Sequence, residues 1–370
     1  MPCAKMNKQN NNKTKIAFIH GRPGPHPMHG KFAKSINADF YFADFRMRWL
    51  DKSSSSLYRL VSWIVCAFTF PNKKKYDIFF VDGLFFFPII MKMLFLLNKK
   101  QKIVVNLGSH TLYFLYAHRF SKFTEWIHIQ AMKRCDAFIC EGNMANELVK
   151  SILKEKHPKL YTVFMGIPNE HYPDEKDASI NIKGKNILFM GNVPEENRLW
   201  YKGVDVMIDA FRLAFKKDPY ITFTIVGEFE KRLTDKLVAN LDENTKKAIC
   251  FTGATDDLGQ YTKTSSLYLH TARGEAFGIT ILIAMASGIP PIISEWTGAK
   301  EVVEQVDKRF IVPLDTNSIA EKILWYFNLP ITEKEKLSES CKTIATNYTE
   351  EKAIQNFKNV FTQLENDFGF

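Results

Sequence analysis

The sequence predicts an α/β protein built from two Rossmann-like domains that face each other across a cleft. Three observations lead to this prediction. The 370 residues, 46% of them hydrophobic, exceed what one hydrophobic core usually supports. Twelve short apolar runs alternate with helix-like stretches, as is typical of parallel sheets. A polar segment at residues 167–184, interrupted by Pro168, Pro173 and Gly184, divides these runs into two sets.

The first domain is predicted over residues 15–178. It follows a flexible polar tail at residues 1–14, which has no apolar signal-peptide core. The spacing between the apolar runs fits crossover helices between parallel strands. We expect the strands of this domain at residues 15–19, 39–43, 77–81, 102–107, 137–140 and 161–164.

The second domain is predicted over residues 179–345. Three of its apolar runs end in glycine, at Gly191, Gly227 and Gly253. Glycine at the carboxyl end of a parallel strand lets a ligand approach the backbone, and open α/β sheets bind ligands at that edge. We expect the strands of this domain at residues 186–191, 222–227, 248–253, 267–270, 290–294 and 309–312.

Charge is distributed unevenly along the chain. Residues 1–180 contain 27 Lys and Arg against 14 Asp and Glu, whereas residues 181–370 contain 23 against 26. The basic first half favours an anionic partner such as an acidic lipid surface or a phosphorylated acceptor, although solvated lysines explain the count equally well. Because no recognisable nucleic-acid-binding module accompanies the charge, nucleic acid is not an expected partner.

Two apolar stretches, residues 57–70 and 84–97, are shorter than the ~20 residues that a bilayer crossing requires. Lysines follow each stretch, which would let an aromatic-rich helix rest on an anionic membrane face, while packing on a sheet is the simpler interpretation. The six cysteines lack metal-site spacing and predict reduced thiols. We therefore expect a cytoplasmic protein, with peripheral attachment to the inner face of a membrane as the open alternative.

The clearest chemical pattern is GEAFGITILIAMASGIP at residues 274–290. A strand ends at His270, a loop carries Glu275, and Gly278 leads into an apolar helix. The unpaired N–H groups and the positive dipole end of a helix N-terminus favour a diphosphate, and Glu275 can accept hydrogen bonds from sugar hydroxyls. Considered alone, the segment is also compatible with a purely structural strand, turn and helix.

This segment resembles the E-x-F-G…E-A-M-A-x-G-x-P signature of the family 4 retaining glycosyltransferases, which have the GT-B fold. In that family a second glutamate, eight residues after the first, usually holds the ribose hydroxyls of the nucleotide. Here that position is Ile283, so the resemblance implies that the ribose is recognised differently. It also implies that the donor is bound by Glu275, Ala276, Phe277, Gly278, Ile279 and Thr280.

A second segment, FMGNVPEENRLWYKGVDVMIDAF at residues 189–211, resembles the family's G-R-L…K-G-x-D-x-L-I-x-A-F. Lys202 and Gly203 match it, but Asn192 occupies the arginine position after Gly191, so Arg198 is expected to supply the missing charge. The resemblance implies a nucleoside diphosphate as the leaving group, which positive charge would stabilise as the glycosidic bond breaks. Because no metal-binding motif or D-x-D sequence is present, neither a metal nor a cofactor is expected.

Weaker resemblances complete the predicted donor site. Gly227 and Glu228 follow a strand as in the family's I-V-G-x-G, and Gly253 ends an F-x-G. Gly30 lies in a segment that resembles the glycine-rich loop after the first strand, where it would open a helix near the diphosphate. His110 lies close to the position where the family often has a histidine near the donor sugar, although a histidine without a catalytic role is the simpler interpretation.

The resemblance implies a GT-B glycosyltransferase that retains the anomeric configuration, with Glu275, Lys202 and His110 as the catalytic residues. The first domain would bind a saccharide or lipid-linked acceptor, and the second would bind the nucleotide sugar, a UDP-sugar first and a GDP-sugar second. A helix at residues 346–370 would cross back to the first domain. Since Ile283 and Asn192 remove two donor contacts, a catalytically impaired homologue that acts as a binding or partner subunit is the alternative. A nucleotide-sugar epimerase is a third.

Overall fold

The computed structural model describes residues 14–20, 26–42, 64–65, 67–83, 86–108, 110–173 and 181–370. Several predicted features therefore lie partly outside the described residues. These are residues 1–13 of the tail, Ala43 of the second predicted strand, residues 57–63, 66 and 84–85 of the apolar stretches, and residues 174–180 of the linker.

The first sheet is parallel and comprises β1 (Ile16–His20), β2 (Asp39–Phe42), β3 (Ile78–Asp82), β4 (Lys102–Leu107), β5 (Ala137–Cys140) and β6 (Lys159–Thr162). The strand order is β2-β1-β3-β4-β5-β6. The helices of this half are α1 (Pro27–Ser35), α2 (Phe86–Met93), α3 (Thr111–Tyr116), α4 (Lys122–Met132) and α5 (Asn143–Leu153). Near-continuous apolar runs such as that of β3 form strands here because helices cover the sheet.

The register of the first sheet brings polar residues together at its carboxyl edge. His20 pairs with Asp82, and Asp82 pairs with Asn106, each at or near the end of its strand. Glu141 directly follows β5. The last strand begins at Lys159 rather than at the predicted residue 161, because Ala137 of β5 pairs with Lys159 and fixes the register.

The second sheet is also parallel and comprises β7 (Asn186–Met190), β8 (Thr222–Val226), β9 (Ile249–Gly253), β10 (Leu267–His270), β11 (Pro291–Ser294) and β12 (Ile311–Val312). The strand order is β12-β11-β10-β7-β8-β9. Its helices are α6 (Glu196–Lys202), α7 (Val204–Lys217), α8 (Lys231–Val238), α9 (Glu243–Lys247), α10 (Gly259–Thr262), α11 (Ile279–Ala286), α12 (Lys300–Val303), α13 (Thr316–Phe327) and α14 (Ile331–Ala345). Two parallel sheets with helices confirm the predicted α/β class.

The final helix, α15 (Glu350–Phe368), packs against the first half of the chain. The ring of Phe357 stacks on Phe32 of α1 at a centroid distance of 4.5 Å. Near the end of the helix, the Tyr161 hydroxyl of β6 donates a 2.6 Å hydrogen bond to Asp367. These contacts attach the C-terminal segment to the first sheet.

The two halves also meet through aromatic side chains beside the facing carboxyl edges. Tyr113 of α3 lies 5.6 Å from Trp296, between ring centroids, and Phe164 lies 5.9 Å from Phe277. Within the described ranges, no helix combines the length and the apolar character that crossing a bilayer requires.

Candidate active site

A cleft of about 700 Å³ lies where the carboxyl edges of the two sheets face each other. The wall from the second sheet carries the basic end of α6 and the loop that leads into α11. The wall from the first sheet carries histidines and carboxylates. The polar lining residues include His20, His26, His29, Asp82, His110, Glu141, Arg198, Lys202 and Glu275.

Lys202 is held at the end of α6 by tight local packing. Gly203, which follows it, has φ +68°, and a Cβ there would overlap the carbonyl oxygen of Thr271. The guanidinium of Arg273 donates hydrogen bonds of 2.7 Å to both carboxylate oxygens of Asp205, and another of 2.7 Å to the carbonyl of Trp200. A bidentate pair of this kind fixes direction as well as distance. The loop after β10 therefore fixes the position of the helix end that bears Lys202.

Glu275 is the partner of Lys202. Its Oε2 accepts a hydrogen bond from the Lys202 ammonium and lies 3.2 Å from Nε2 of the fully buried His270. The backbone around Glu275 is fixed by its own N–H, which donates to the carbonyl of Trp296 at 3.1 Å, and by its carbonyl, which accepts from Gly298 at 2.9 Å. The carboxylate therefore has a fixed orientation in the cleft.

The electrostatic environment keeps Glu275 ionised. Burial alone would raise the pKa of its carboxyl group, but the Lys202 ammonium and the hydrogen bond from His270 together bring the pKa well below its usual range. Burial lowers the pKa of His270, which is therefore a neutral imidazole at pH 7 and donates to Glu275 through Nε2. The site thus holds a cation and an anion side by side, with side chains that are 10% and 16% exposed.

The N-terminus of α11 borders the same cleft. Gly278 precedes the helix with φ +93°, a left-handed conformation that glycine adopts without strain. Thr280 accepts a 2.8 Å hydrogen bond from the hydroxyl of Tyr268, which fixes the first turn against β10. The N–H groups of a first helical turn have no partner within the helix, so this end can receive an anion.

Five predicted donor residues form a separate group, the strand-end group, at the ends of β7, β8 and β9. They are Gly191, Asn192, Gly227, Glu228 and Gly253. The side-chain oxygen of Asn192 accepts a 2.8 Å hydrogen bond from the N–H of Glu228, and the N–H of Gly227 donates to Gly253 at 2.9 Å. A Cβ on Gly227 would overlap the carbonyl of Gly191. Asn192 therefore joins two strand ends instead of presenting the positive charge of an arginine.

Comparison with known proteins gives a family match in the second half of the chain. Residues 184–328, which hold the Lys202–Glu275 pair and the strand-end group, match the family described as glycosyl transferases group 1. Over these residues the chain is similar to the group 1 glycosyltransferases. An uncharacterised glycosyltransferase of Haemophilus influenzae is 25% identical over 234 residues, and this chain spans only 62% of that relative's length.

Two further similarities concern nucleotide sugars and architecture. A UDP-Gal:alpha-D-GlcNAc-diphosphoundecaprenol alpha-1,3-galactosyltransferase of Escherichia coli is 24% identical over 200 residues, which is 52% of this chain and 51% of that protein. Anabaena HepE, crystallised with UDP and glucose, superimposes with a TM-score of 0.68 at 17% identity, covering 95% of this chain and all of that one. At this level of identity the second similarity establishes the fold, which is GT-B.

The structure brings most of the predicted residues to one cleft. Those that line it are His110, Arg198, Lys202, Glu275, Ala276, Phe277, Gly278, Ile279 and Thr280. The Nε of Arg198 is shielded from solvent and has no hydrogen-bond partner among the described residues. The ring of His110 stacks on the ring of Tyr201, the neighbour of Lys202.

Two further predicted residues lie outside both the cleft and the group at the ends of β7, β8 and β9. Ile283, which is 4% exposed, packs in the hydrophobic core and offers the cleft no polar group. Gly30 does not open a helix, since α1 begins at Pro27 and Gly30 is its buried fourth residue. Proline is favoured at the first helical position because its missing N–H would be unpaired there, which accounts for the earlier start.

Sequence reasoning missed His29, Asp82, Glu141 and His270. The His29 Nδ1 lies 2.9 Å from Oδ1 of Asp82, and its Nε2 lies 2.7 Å from Oε1 of Glu141. Burial lowers the pKa of His29, but the two carboxylates outweigh it and raise the pKa to about 10. Asp82 and His270 end buried strands and Glu141 follows one, so the position of these three at the carboxyl ends of parallel strands is the signal that the sequence offers.

Proposed function

We propose that this protein is a retaining glycosyltransferase that moves a sugar from a nucleotide sugar to a saccharide or lipid-linked acceptor in glycan or glycolipid biosynthesis. A UDP-sugar is the favoured donor and a GDP-sugar the second. The observation that carries the proposal is the buried pair of Lys202 and Glu275 beside the N-terminus of α11. The bond that must break joins the sugar C1 to a phosphate oxygen. The amino group of Lys202 suits the phosphate side of this bond, and the carboxylate of Glu275 suits the sugar side.

The diphosphate would lie against Lys202, Arg198 and the first turn of α11. As the bond between the sugar C1 and the phosphate oxygen lengthens, negative charge grows on that oxygen, and fixed positive groups stabilise it. The shielded Nε of Arg198 supports this placement, because a buried donor without a partner is costly unless a ligand pairs with it. We expect these residues to replace a divalent metal, so that chelators leave the reaction unchanged.

The sugar would lie over Glu275. An ionised carboxylate accepts hydrogen bonds from hydroxyl groups, and His270 together with the Trp296–Gly298 backbone keeps it oriented. His110, on the first-sheet side of the cleft, would approach the sugar from the other direction. Both side chains are thus proposed as catalytic residues that contact the donor sugar.

The nucleoside would extend along the strand-end group of Gly191, Asn192, Gly227, Glu228 and Gly253. Because Ile283 is buried and apolar, the ribose hydroxyls would be held by polar groups at this edge, and Glu228 supplies a carboxylate there. The complex of Anabaena HepE with UDP and glucose and the UDP-Gal donor in the name of the Escherichia coli relative both support UDP as the first choice.

The acceptor is proposed to reach the first domain at a membrane surface. Exposed apolar side chains follow α2, with Phe95 93% exposed beside Met93 and Leu94. Lys99 and Lys100, which are also exposed, come shortly after in the chain, and a segment with exposed apolar and cationic side chains suits an anionic bilayer face. The diphosphoundecaprenol in the relative's name supports a lipid-linked acceptor.

The decisive experiment combines nucleotide binding with donor turnover. Calorimetric titration with UDP and GDP, and hydrolysis of UDP- and GDP-sugars with and without EDTA, would be measured on the wild type and on Lys202→Ala. The matched control is Lys236→Ala, which removes an exposed lysine that pairs with Glu196. We expect binding and turnover in the wild type and the control, and a loss of turnover in Lys202→Ala.

Three outcomes would count against the proposal. If neither nucleotide binds and no donor is consumed, the impaired homologue that acts as a binding subunit becomes the better interpretation. If a sugar product forms without any acceptor and is an epimer of the donor sugar, the protein is an epimerase. The stereochemistry is read from the anomeric proton of the glycoside product, and inversion would contradict the retaining assignment.

A further inference from the structure

The first-sheet wall of the cleft contains a buried ionic cluster that the donor chemistry does not use. We name His29, Asp82 and Glu141 the first-sheet cluster. The imidazole of His29 lies between the two carboxylates, at 2.9 Å from Asp82 and 2.7 Å from Glu141. All three residues line the cleft opposite Lys202 and Glu275. Buried charges of this kind are costly and persist where the surrounding structure supports them.

The neighbouring residues support the cluster specifically. Asn106 of β4 donates a 3.1 Å hydrogen bond to Oε1 of Glu141. Gly108 leaves room for the same carboxylate, because a Cβ there would overlap the side chain of Glu141. The ends of three neighbouring strands, β3, β4 and β5, and the start of α1 therefore converge on one position. This convergence is that of a structured site and not of a chance pair on the surface.

The charges of the cluster do not cancel. Two carboxylates flank one imidazolium, so the cluster carries a net negative charge at the wall of the cleft. The side chain of Asp82 is 17% exposed, against 8% for His29 and for Glu141, and is therefore the most accessible member. The opposite wall carries two cations, Arg198 and Lys202, and the single carboxylate of Glu275, so its net charge is positive. The two walls thus differ in the groups that they can accept.

We propose that the first-sheet cluster is the acceptor subsite, where Asp82 accepts hydrogen bonds from uncharged hydroxyl groups and repels an acceptor that carries phosphate at that position. The inference rests on the proposed transferase function. A hydroxyl group satisfies a carboxylate without adding charge, whereas a phosphate beside two carboxylates costs electrostatic energy in a partly buried site. The cluster therefore selects the sugar end of an acceptor, and any phosphate of a lipid carrier lies outside the cleft.

Matched pairs of small acceptors test this selectivity. Glucose, mannose and N-acetylglucosamine would each be compared with their 6-phosphates as competitors of UDP-sugar and GDP-sugar hydrolysis, at about pH 8, where an imidazole of ordinary pKa is neutral. In the wild type we expect each neutral sugar to bind at least about tenfold more tightly than its phosphate, as expected from one unfavourable charge contact. Asp82→Asn should reduce that ratio at least about fivefold, mainly by admitting the phosphates.

Additional variants separate selectivity from general damage. Asp39→Asn removes a carboxylate at the far edge of the same sheet, where Asp39 pairs with Lys75, and should leave the ratio unchanged. Asp82→Glu keeps the charge and should keep most of the discrimination even where binding weakens. A merely structural defect would lower binding of both members of each pair and leave their ratio constant.

The outcomes distinguish this inference from the proposed function. Equal or tighter binding of the phosphates in the wild type, an unchanged ratio in Asp82→Asn, or binding of no neutral sugar would each overturn the acceptor subsite. Calorimetry with UDP and GDP on the same variants reports on the donor site alone, and we expect Asp82→Asn to bind the nucleotide within about twofold of the wild type, because Asp82 lies on the opposite wall. A wild type that binds neither nucleotide would instead overturn the transferase proposal.

Discussion

The ring of His110 stacks on the ring of Tyr201, with 4.9 Å between the centroids and 6° between the planes. The two residues belong to different halves of the protein, since His110 precedes α3 and Tyr201 lies beside Lys202 at the end of α6. Phe114 adds a second contact, 5.8 Å from the ring of Trp200. The contact therefore links the first-sheet wall to the helix that bears Lys202.

Replacing each of the two stacked rings separately distinguishes a packing role of His110 from a chemical role. His110→Phe keeps an aromatic ring against Tyr201 but removes both ring nitrogens, and we expect kcat for donor turnover to fall on the order of 10², as for other polar groups that stabilise developing charge. Tyr201→Phe keeps the stack and should retain wild-type kcat. Full activity in His110→Phe would show that His110 only packs between the halves.

The Lys202–Glu275 pair should respond very differently to single and double substitution. Lys202→Met leaves a carboxylate buried without its cation, which costs about 3–5 kcal/mol of unfolding free energy for buried pairs in general. The double variant Lys202→Met with Glu275→Gln removes both charges and should recover much of that loss while remaining inactive. Urea unfolding and donor turnover measure the two effects.

A surface pair provides the control for this comparison. Lys236 and Glu196 are joined by an ion pair in which both side chains are more than half exposed. Lys236→Met should leave both unfolding and turnover close to the wild type, because exposed pairs contribute little. If the buried and exposed single variants were equally stable, the buried pair would not have the electrostatic role that its position suggests.

The glycine after Lys202 should be sensitive for a steric reason. Gly203→Ala and Gly369→Ala both place a side chain at positive φ, +68° and +78°, which costs about 1–2 kcal/mol. Only Gly203 also has a backbone oxygen, that of Thr271, in the path of the new Cβ. We expect Gly203→Ala to weaken UDP binding in calorimetry and Gly369→Ala to leave it unchanged. Equal affinity for UDP in both variants would mean that UDP binding by Lys202 does not depend on the close approach of the end of α6 to the loop after β10.

Much of the architecture was predictable because a buried parallel strand appears in the sequence as a short, nearly continuous apolar run. Runs such as KIVVNL at residues 102–107 coincide with an observed strand, since both faces of the sheet are covered by helices. The start of α1 was not predicted. The resemblance to a glycine-rich loop implied that a helix opens at Gly30, whereas the helix begins at Pro27.

The site was only partly predictable, for a different reason. Lys202 and Glu275 belong to segments with a family pattern, so their sequence context alone marked them. His29, Asp82 and Glu141 come from three separate elements, and only the strand register and the gap at Gly108 bring them into contact. The sequence likewise could not show that His270 donates to Glu275, because that contact depends on how the loop of residues 271–275 folds back.

The first-sheet cluster should give the protein a measurable dependence of stability on pH. The charged groups that face His29 are Asp82 at the end of β3 and Glu141 after β5, with His20 and His26 nearby. The pKa of His29 rises from an ordinary 6.5 to about 10 on folding. The folded state therefore holds a proton that the unfolded state releases between these values, so this contribution to stability is complete below pH 6.5 and is lost as pH rises toward 10.

His29→Gln isolates that contribution because glutamine fills similar space without titrating. Between about pH 7 and 9 we expect the unfolding free energy of the wild type, measured in urea, to fall relative to that of the variant by about 1.4 kcal/mol per pH unit, the value for one linked proton. The control is His118→Gln, whose imidazole is 83% exposed beside Glu125, and it should follow the wild type. Parallel curves for the wild type and His29→Gln would mean that His29 is not the protonated centre of the cluster.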